Sequence, residues 1–348
     1  MNGKKMKYYR LKKGLTTDEL AKIVGCSKGA ISLYENNERE PSYETGEKIA
    51  SALGVSWLTL SLARELNLKF NHFGFRRKQK VSQRDIEMLK IEIEEKCTDR
   101  VMLMDILGLV NEKPFKAKKL SFDNSVSENA YEIRKALMIP PIGPIFSITQ
   151  VLEHAGIIVL SFPCIEEIDG LNGMVNDIPY IFFNSEQTVE RQRFTIIHEL
   201  CHLFFNNVKT DLSDKEFEKY INRLAGNVLI PDSDLYHEFG KTNRNLTVYI
   251  RNSAAKKYKI APSCLITRLY EADIVTEMYY KSFFIYLNRN GGRKLEPSFL
   301  NKDSDSEAPT LFEYQVYRAL SEELITASRA AELLHIPLYN VMENARME

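Results

Sequence analysis

The segment FTIIHELCHLFF constrains this 348-residue chain more than any other. It is apolar and long enough to form a buried helix, and within it His198 and His202 stand four residues apart. At about 100 degrees per residue the two histidines share one face. Ile196, Ile197, Leu200 and Phe204 fall on the other side, free to pack into a core. Two imidazoles one helical turn apart can donate nitrogens to one zinc ion, and Glu199, one residue round the helix, is placed to serve as general base toward water. With only 6 histidines in the chain, such an HExxH pattern is expected by chance about once in a hundred comparable sequences.

A catalytic zinc needs a third protein ligand and an open position. In KEFEKYINRLAGNVLIP the spacing predicts a helix ended by Pro231, with Ile221, Leu224 and Val228 as its apolar stripe. Glu218 is the preferred ligand and Glu216 its competitor. Asn222, one turn on from Glu218, is expected to hydrogen-bond a ligand histidine and fix its orientation. His72, His154, His237 and His335 are isolated and read as packing or surface residues, although Tyr236 and His237 follow the second helix closely enough to be considered as oxyanion donors. The run GLNGMVND is a candidate edge strand for aligning a peptide, with Gly170 and Gly173 marking either close backbone approach or a bulge.

Near the N-terminus, LTTDELAKIVGCSKGAISLYENN carries the signals of two short helices joined by a tight turn. Thr16 and Glu19 have capping-box spacing, Gly25 marks a stop, and Ser27 caps a second helix running from Lys28 to about Asn36. Ala30, Ile31 and Tyr34 are its buried positions. Ser27, Lys28, Gly29 and Ser32 lie on its exposed leading edge, where a recognition helix meets base edges, and Thr17 with nearby basic side chains is placed to hold phosphates.

Charge sharpens this division. The formal net charge is +0, which excludes wholesale coating of nucleic acid, yet Lys4, Lys5, Lys7, Arg10, Lys12 and Lys13 crowd the start and Arg76, Arg77, Lys78, Lys80 and Arg84 form a second basic run. Cys26, Cys97, Cys164, Cys201 and Cys264 form no paired spacing, no signal peptide is evident, and no apolar run approaches the ~20 residues needed to span a bilayer. A reducing cytoplasm is expected, and no membrane.

The fold class expected is α+β and mostly helical. Residues 1–65 form an all-α helix-turn-helix domain, 66–125 a basic connector and linker helix, 126–275 a metallopeptidase domain with a small β-sheet and the HExxH helix, and 276–348 a C-terminal helical region ending in a hairpin around 311–346. The strands expected are GIIVLSF, LNGMVND and PYIFFN.

Two resemblances add to this reading. CSKGAISLYENNEREPSYETGEKIASALGVS resembles the XRE, or phage-repressor-like, helix-turn-helix family. RQRFTIIHELCHLFF and EKYINRLAGNVLIP resemble the ImmA/IrrE family of zincin-like metallopeptidases over roughly 126–275. Cys201 stands where that family usually has glycine, Ile221 where it has a small residue, and Tyr220 where some members have glutamate; Cys201 reads as packing. The resemblance implies a bacterial or phage-derived regulator, in a family whose members relieve repression by cleaving a helix-turn-helix repressor. Its expected partners are a double-stranded DNA operator and a protein substrate, that repressor or the chain itself, with zinc as cofactor and a homodimer as the DNA-binding form. Tethering both activities raises the effective concentration of target beside hydrolase. The competing readings are a non-catalytic repressor that senses a ligand or partner, and an antitoxin-like regulator.

Overall fold

The computed structural model describes residues 1–61, 68–73, 81–109, 114–206, 208, 210–241, 246–292, 296 and 298–345. Most of the second basic run, from Arg76 to Lys80, lies outside them. The chain divides into two compact units, Met1–Phe70 with Arg77–Val110, and Asn71–Arg76 with Asn111–Glu348.

Among the described residues, the regular elements of the first unit apart from Phe70 are helices: α1 (Gly3–Lys12), α2 (Thr17–Val24), α3 (Lys28–Glu35), α4 (Tyr43–Leu53), α5 (Trp57–Ser61) and α6 (Gln83–Ile106). The expected starts and stops are present. Thr16 and Glu19 form a reciprocal capping box, Gly25 ends α2 in the left-handed region at φ 79, and the Ser27 hydroxyl accepts from the Ala30 amide. Met6, Leu20, Ile31, Ile49 and Leu53 close the core. Arg10 donates to both carboxylate oxygens of Glu35, at 2.5 and 2.9 Å, and to the Leu15 carbonyl at 2.8 Å, so a buried charge pair fixes α1 against α3. The helix expected as a linker, α6, instead packs on α1. Lys4, Lys5 and Lys7 reach Glu94, Glu95 and Glu87 at 2.6, 3.0 and 2.6 Å.

The second unit builds α-helices around a four-stranded sheet. Its strands are β1 (Phe70–Phe73), β2 (Ile158–Phe162), β3 (Gly170–Val175) and β4 (Ile178–Asn184), in the order β1-β3-β4-β2. β3 and β4 are antiparallel, with Asn172 opposite Ile181, and β2 runs parallel to β4. Before the sheet stand α7 (Val126–Ala136) and α8 (Ile148–His154); after it come α9 (Val189–Phe205), α10 (Asp214–Leu229), α11 (Asp232–Phe239), α12 (Val248–Tyr258), α13 (Pro262–Glu271) and α14 (Glu277–Arg289). The terminal region is three helices, α15 (Leu311–Ser321), α16 (Ala327–Leu334) and α17 (Leu338–Asn344), where a hairpin was expected.

Residues of β2 and β4 meet α9 and α10 in one core containing Val159, Ile181, Phe183, Ile196, Ile197, Leu200, Phe204, Ile221, Leu224 and Val228. Each such fully buried aliphatic or aromatic side chain contributes about 1.5–3 kcal/mol. Two buried arginines orient the helices that carry the site. Arg193 of α9 pairs with the buried Glu307 and donates to the carbonyls of Ile145 and Lys259 at 2.5 and 3.0 Å. Arg134 of α7 donates to Val228 O at the end of α10 at 2.7 Å, and to Pro140 O and Gly143 O.

One local geometry recurs. Gly25, Lys259 and His335 each end a helix in the left-handed region, at φ 79, 53 and 55. In each case the carbonyl four residues earlier, of Ala21, Ala255 or Ala331, also accepts from the following amide, of Cys26, Ile260 or Ile336. Six residues beyond each turn a fully buried aliphatic residue, Ile31, Leu265 or Val341, seats the next helix. Gly54, at φ 71, closes α4 in the same way, with Ala50 O also accepting from Val55 and the fully buried Leu60 six residues on, so among the described residues four helix pairs share this turn type: α2–α3, α4–α5, α12–α13 and α16–α17.

Candidate metal centre and nucleic-acid interface

His198 and His202 project from α9 with their Nε2 atoms 3.1 Å apart, and their rings are edge-on with centroids 4.8 Å apart. Glu218 of α10 faces both, with Oε2 3.4 Å from His198 Nε2 and Oε1 3.5 Å from His202 Nε2. All three ligand atoms lie within 4.8 Å of one another. Four donors about 2.0–2.1 Å from a tetrahedral zinc stand about 3.3–3.4 Å apart, so the spacing of these three suits that ion. The cluster is partly open, with the histidine side chains 16% and 15% exposed and Glu218 31%. Phe194 and Phe217 lie beside the two rings and make an apolar frame.

Glu199 does not join the three donors. Its carboxylate accepts a 2.6 Å hydrogen bond from the side-chain amide of Asn172 on β3, a residue that no motif marks in the sequence. Asn172 is buried, and Gly170 two residues before it lets the strand approach α9. A Cβ at Gly170 would meet Thr195 Cγ2 at 2.4 Å and the Phe182 carbonyl at 2.8 Å. Of the two readings of these glycines, close approach is therefore the one the packing supports. The approach to Gly173 comes from this chain's own β1: a Cβ there would meet Asn71 O at 2.4 Å. The edge of β3 expected to await a peptide is already hydrogen-bonded to β1.

The competing ligand, Glu216, is committed elsewhere. Its carboxylate accepts from the amide and hydroxyl of Ser213 at 3.0 and 2.6 Å in a capping box, and those hydrogen bonds hold its pKa below the ordinary 4.5. Asn222, expected to orient a ligand histidine, is exposed, and no hydrogen bond ties it to the cluster among the described residues. Spacing puts it on Glu218's face, but α9 meets that face where Glu218 stands. Tyr236 packs on the core beneath Lys241, and His237 is exposed; neither is brought to the cluster. Tyr220 accepts from Asn129 at 2.7 Å and supports α10 against α7. Cys201 is fully buried and burial raises its thiol pKa, so it stays protonated and packs, as its position on α9 suggested.

In the first unit Ser27, Lys28, Gly29 and Ser32 are all exposed at the leading end of α3, and Thr17 is half-buried in the first turn of α2. The crowd of N-terminal basic residues is less available than the sequence suggests. Arg10 is buried, Lys4, Lys5 and Lys7 face carboxylates of α6, and Lys13 donates to Ala52 O at 3.3 Å. Lys28 and Arg39 remain exposed near α3.

An exposed α3 within a helix-turn-helix unit and an HExxH cluster of three potential metal donors in the other define the class: a DNA-binding regulator domain joined to a metallopeptidase-type domain. Comparison with known families agrees. Residues 6–60 match a helix-turn-helix family and 152–270 match the IrrE N-terminal-like domain of a metallopeptidase family. An uncharacterized HTH-type transcriptional regulator, YqaF of Bacillus subtilis, is 37% identical over 57 residues, which cover 16% of this chain and 75% of that protein. The chain belongs to the XRE-type helix-turn-helix regulators and carries, fused to that domain, an ImmA/IrrE-type peptidase domain. Among the described residues no helix is long and apolar enough to cross a membrane.

Proposed function

We propose that this chain is a transcriptional regulator that binds a double-stranded operator through α3 and hydrolyses a peptide bond, in a partner repressor or in itself, at a zinc held by His198, His202 and Glu218. The observation that carries this reading is the convergence of those three donors, at 3.1, 3.4 and 3.5 Å, beside a Glu199 that is held apart from them by Asn172. A zinc ion there would polarise the scissile carbonyl and make water more acidic.

The residues then divide the work. Glu199 takes a proton from the attacking water as its oxygen bonds to the carbonyl carbon, and returns it to the amine nitrogen as the C–N bond breaks. Asn172 keeps the Glu199 carboxylate turned toward β3, and the phenyl rings of Phe194 and Phe217 limit water on one side of the cluster. β3 would supply backbone hydrogen-bonding groups to an extended peptide once β1 is displaced from its edge. Because operators of helix-turn-helix regulators present two half-sites, the DNA-binding form is a homodimer. None of the five cysteines is joined in a disulfide.

The test is to incubate helix-turn-helix repressors from the source organism, and the chain alone, with zinc-loaded wild-type protein and with Glu199→Gln. Fragments that form with wild type and not with Glu199→Gln are expected. Intact partners and an intact chain in both samples, under conditions that induce the regulated genes, would refute hydrolysis.

A further inference from the structure

We propose that β1 is an internal plug: residues 70–73 occupy the β3 edge that an extended substrate would need, and the peptide-binding site opens only when β1 leaves. This rests on the reading of β3 as the substrate-aligning strand of the proposed peptidase.

Three observations converge. β3 carries the side chain that holds Glu199, so a peptide paired along β3 lies beside the reacting groups, and β1 is the strand hydrogen-bonded to β3 on the side away from β4. Gly173 admits that neighbour, since any side chain there would strike Asn71 O at 2.4 Å and the Tyr180 hydroxyl at 2.4 Å. His72 then clasps the strand to the sheet: its Nδ1 lies 2.5 Å from the Tyr180 hydroxyl, with the two rings edge-on at 6.0 Å.

The plug is built to be removable. Asn71 is exposed and Phe70 and His72 are half-buried, whereas β4 behind them is buried from Pro179 to Asn184. A strand this short, with Phe70, Asn71 and His72 no more than half-buried, belongs to the part of a fold that opens first. The segment Asn71–Arg76 belongs to the second unit, while the residues before and after it, Met1–Phe70 and Arg77–Val110, belong to the first. Along the chain, β1 is thus flanked on both sides by residues of the first unit. Backbone pairing supplies the affinity in such strand addition, so the incoming ligand is an extended peptide segment whose alternate side chains match those of β1.

The test uses the full-length chain in a Glu199→Gln background, so that bound peptide stays intact, and a fluorescein-labelled peptide of residues 68–73 as probe. Asn71→Pro removes a strand amide, and Tyr180→Phe removes the hydrogen bond to His72. Fluorescence polarisation is expected to show the probe binding at least about tenfold tighter to either variant than to the parent, because apparent affinity scales with the fraction of open edge. Hydrogen–deuterium exchange should locate the probe on 170–175. Should Asn71→Pro fail to fold, Tyr180→Phe carries the test. Equal probe affinity for parent and folded variants would overturn the plug. Tighter binding supports it even if no bond is ever cut, so failure of the hydrolysis reading is seen separately, in the fragment assay.

Discussion

The side-chain amide of Asn172 donates to the carboxylate of Glu199 over 2.6 Å, joining the sheet to the metal-site helix. That bond leaves the ligand atoms alone and holds only the proposed base. Asn172→Ala is therefore expected to retain zinc at the wild-type stoichiometry while lowering any peptidase rate by about 10–100-fold, the usual effect of losing an orienting partner. Metal analysis alongside fragment assays checks both halves.

Gly170→Ala should destabilise the second unit by about 1–3 kcal/mol, because the new methyl overlaps Thr195 Cγ2 and the Phe182 carbonyl. Adding Thr195→Ser removes one of the two clashes, so the double variant should recover part of the loss in denaturant melts.

The Arg10–Glu35 pair is 7% and 6% exposed at its side chains, and losing one partner strands a buried charge. Arg10→Met should cost about 3–5 kcal/mol, and the double variant Arg10→Met with Glu35→Leu should return toward wild-type stability. Urea unfolding followed by circular dichroism measures both.

Lys28 is exposed at the start of α3, whereas Lys7 sits 2.6 Å from Glu87. Lys28→Ala should reduce the salt slope of binding to duplex DNA by about one, and Lys7→Ala should leave it unchanged. Titrations at several salt concentrations separate the two.

Three capping-box glutamates define an acid limit. Hydrogen bonds from Thr16, Ser125 and Ser213 hold Glu19, Glu128 and Glu216 below their ordinary 4.5. A folded pKa below the unfolded one means stability that is present above 4.5 and lost as pH falls through the folded values. The thermal midpoint should fall below pH 4.5, and by less in Ser213→Ala, which lacks one of these contributions.

Much of this was legible in the sequence where a local rule decides the outcome. Thr16, Glu19, Gly25 and Ser27 act on neighbours a few residues away, and HExxH depends only on helical period, so both motifs could be placed from spacing. The same turn at Lys259 and His335 carries no glycine, the residue that ordinarily marks a left-handed helix end in a sequence. Asn172 and β1 were missed for a different reason: each acts across the sheet, on Glu199 27 residues away and on Tyr180 108 residues from His72. Phe70–Phe73 is also too short for an alternation pattern. The acidic partners of Lys4, Lys5 and Lys7 were hidden because α6 was read as a linker, and a charge run in sequence says nothing about what folds onto it.

Zinc content of the purified chain, measured by inductively coupled plasma mass spectrometry after reconstitution and dialysis, tests the metal centre most directly. About one zinc per chain is predicted for wild type, Glu199→Gln and Glu216→Ala, with loss in His198→Ala and Glu218→Ala. Folded wild-type protein that takes up no zinc, or a Glu218→Ala variant that holds it as tightly as wild type, would contradict the site described.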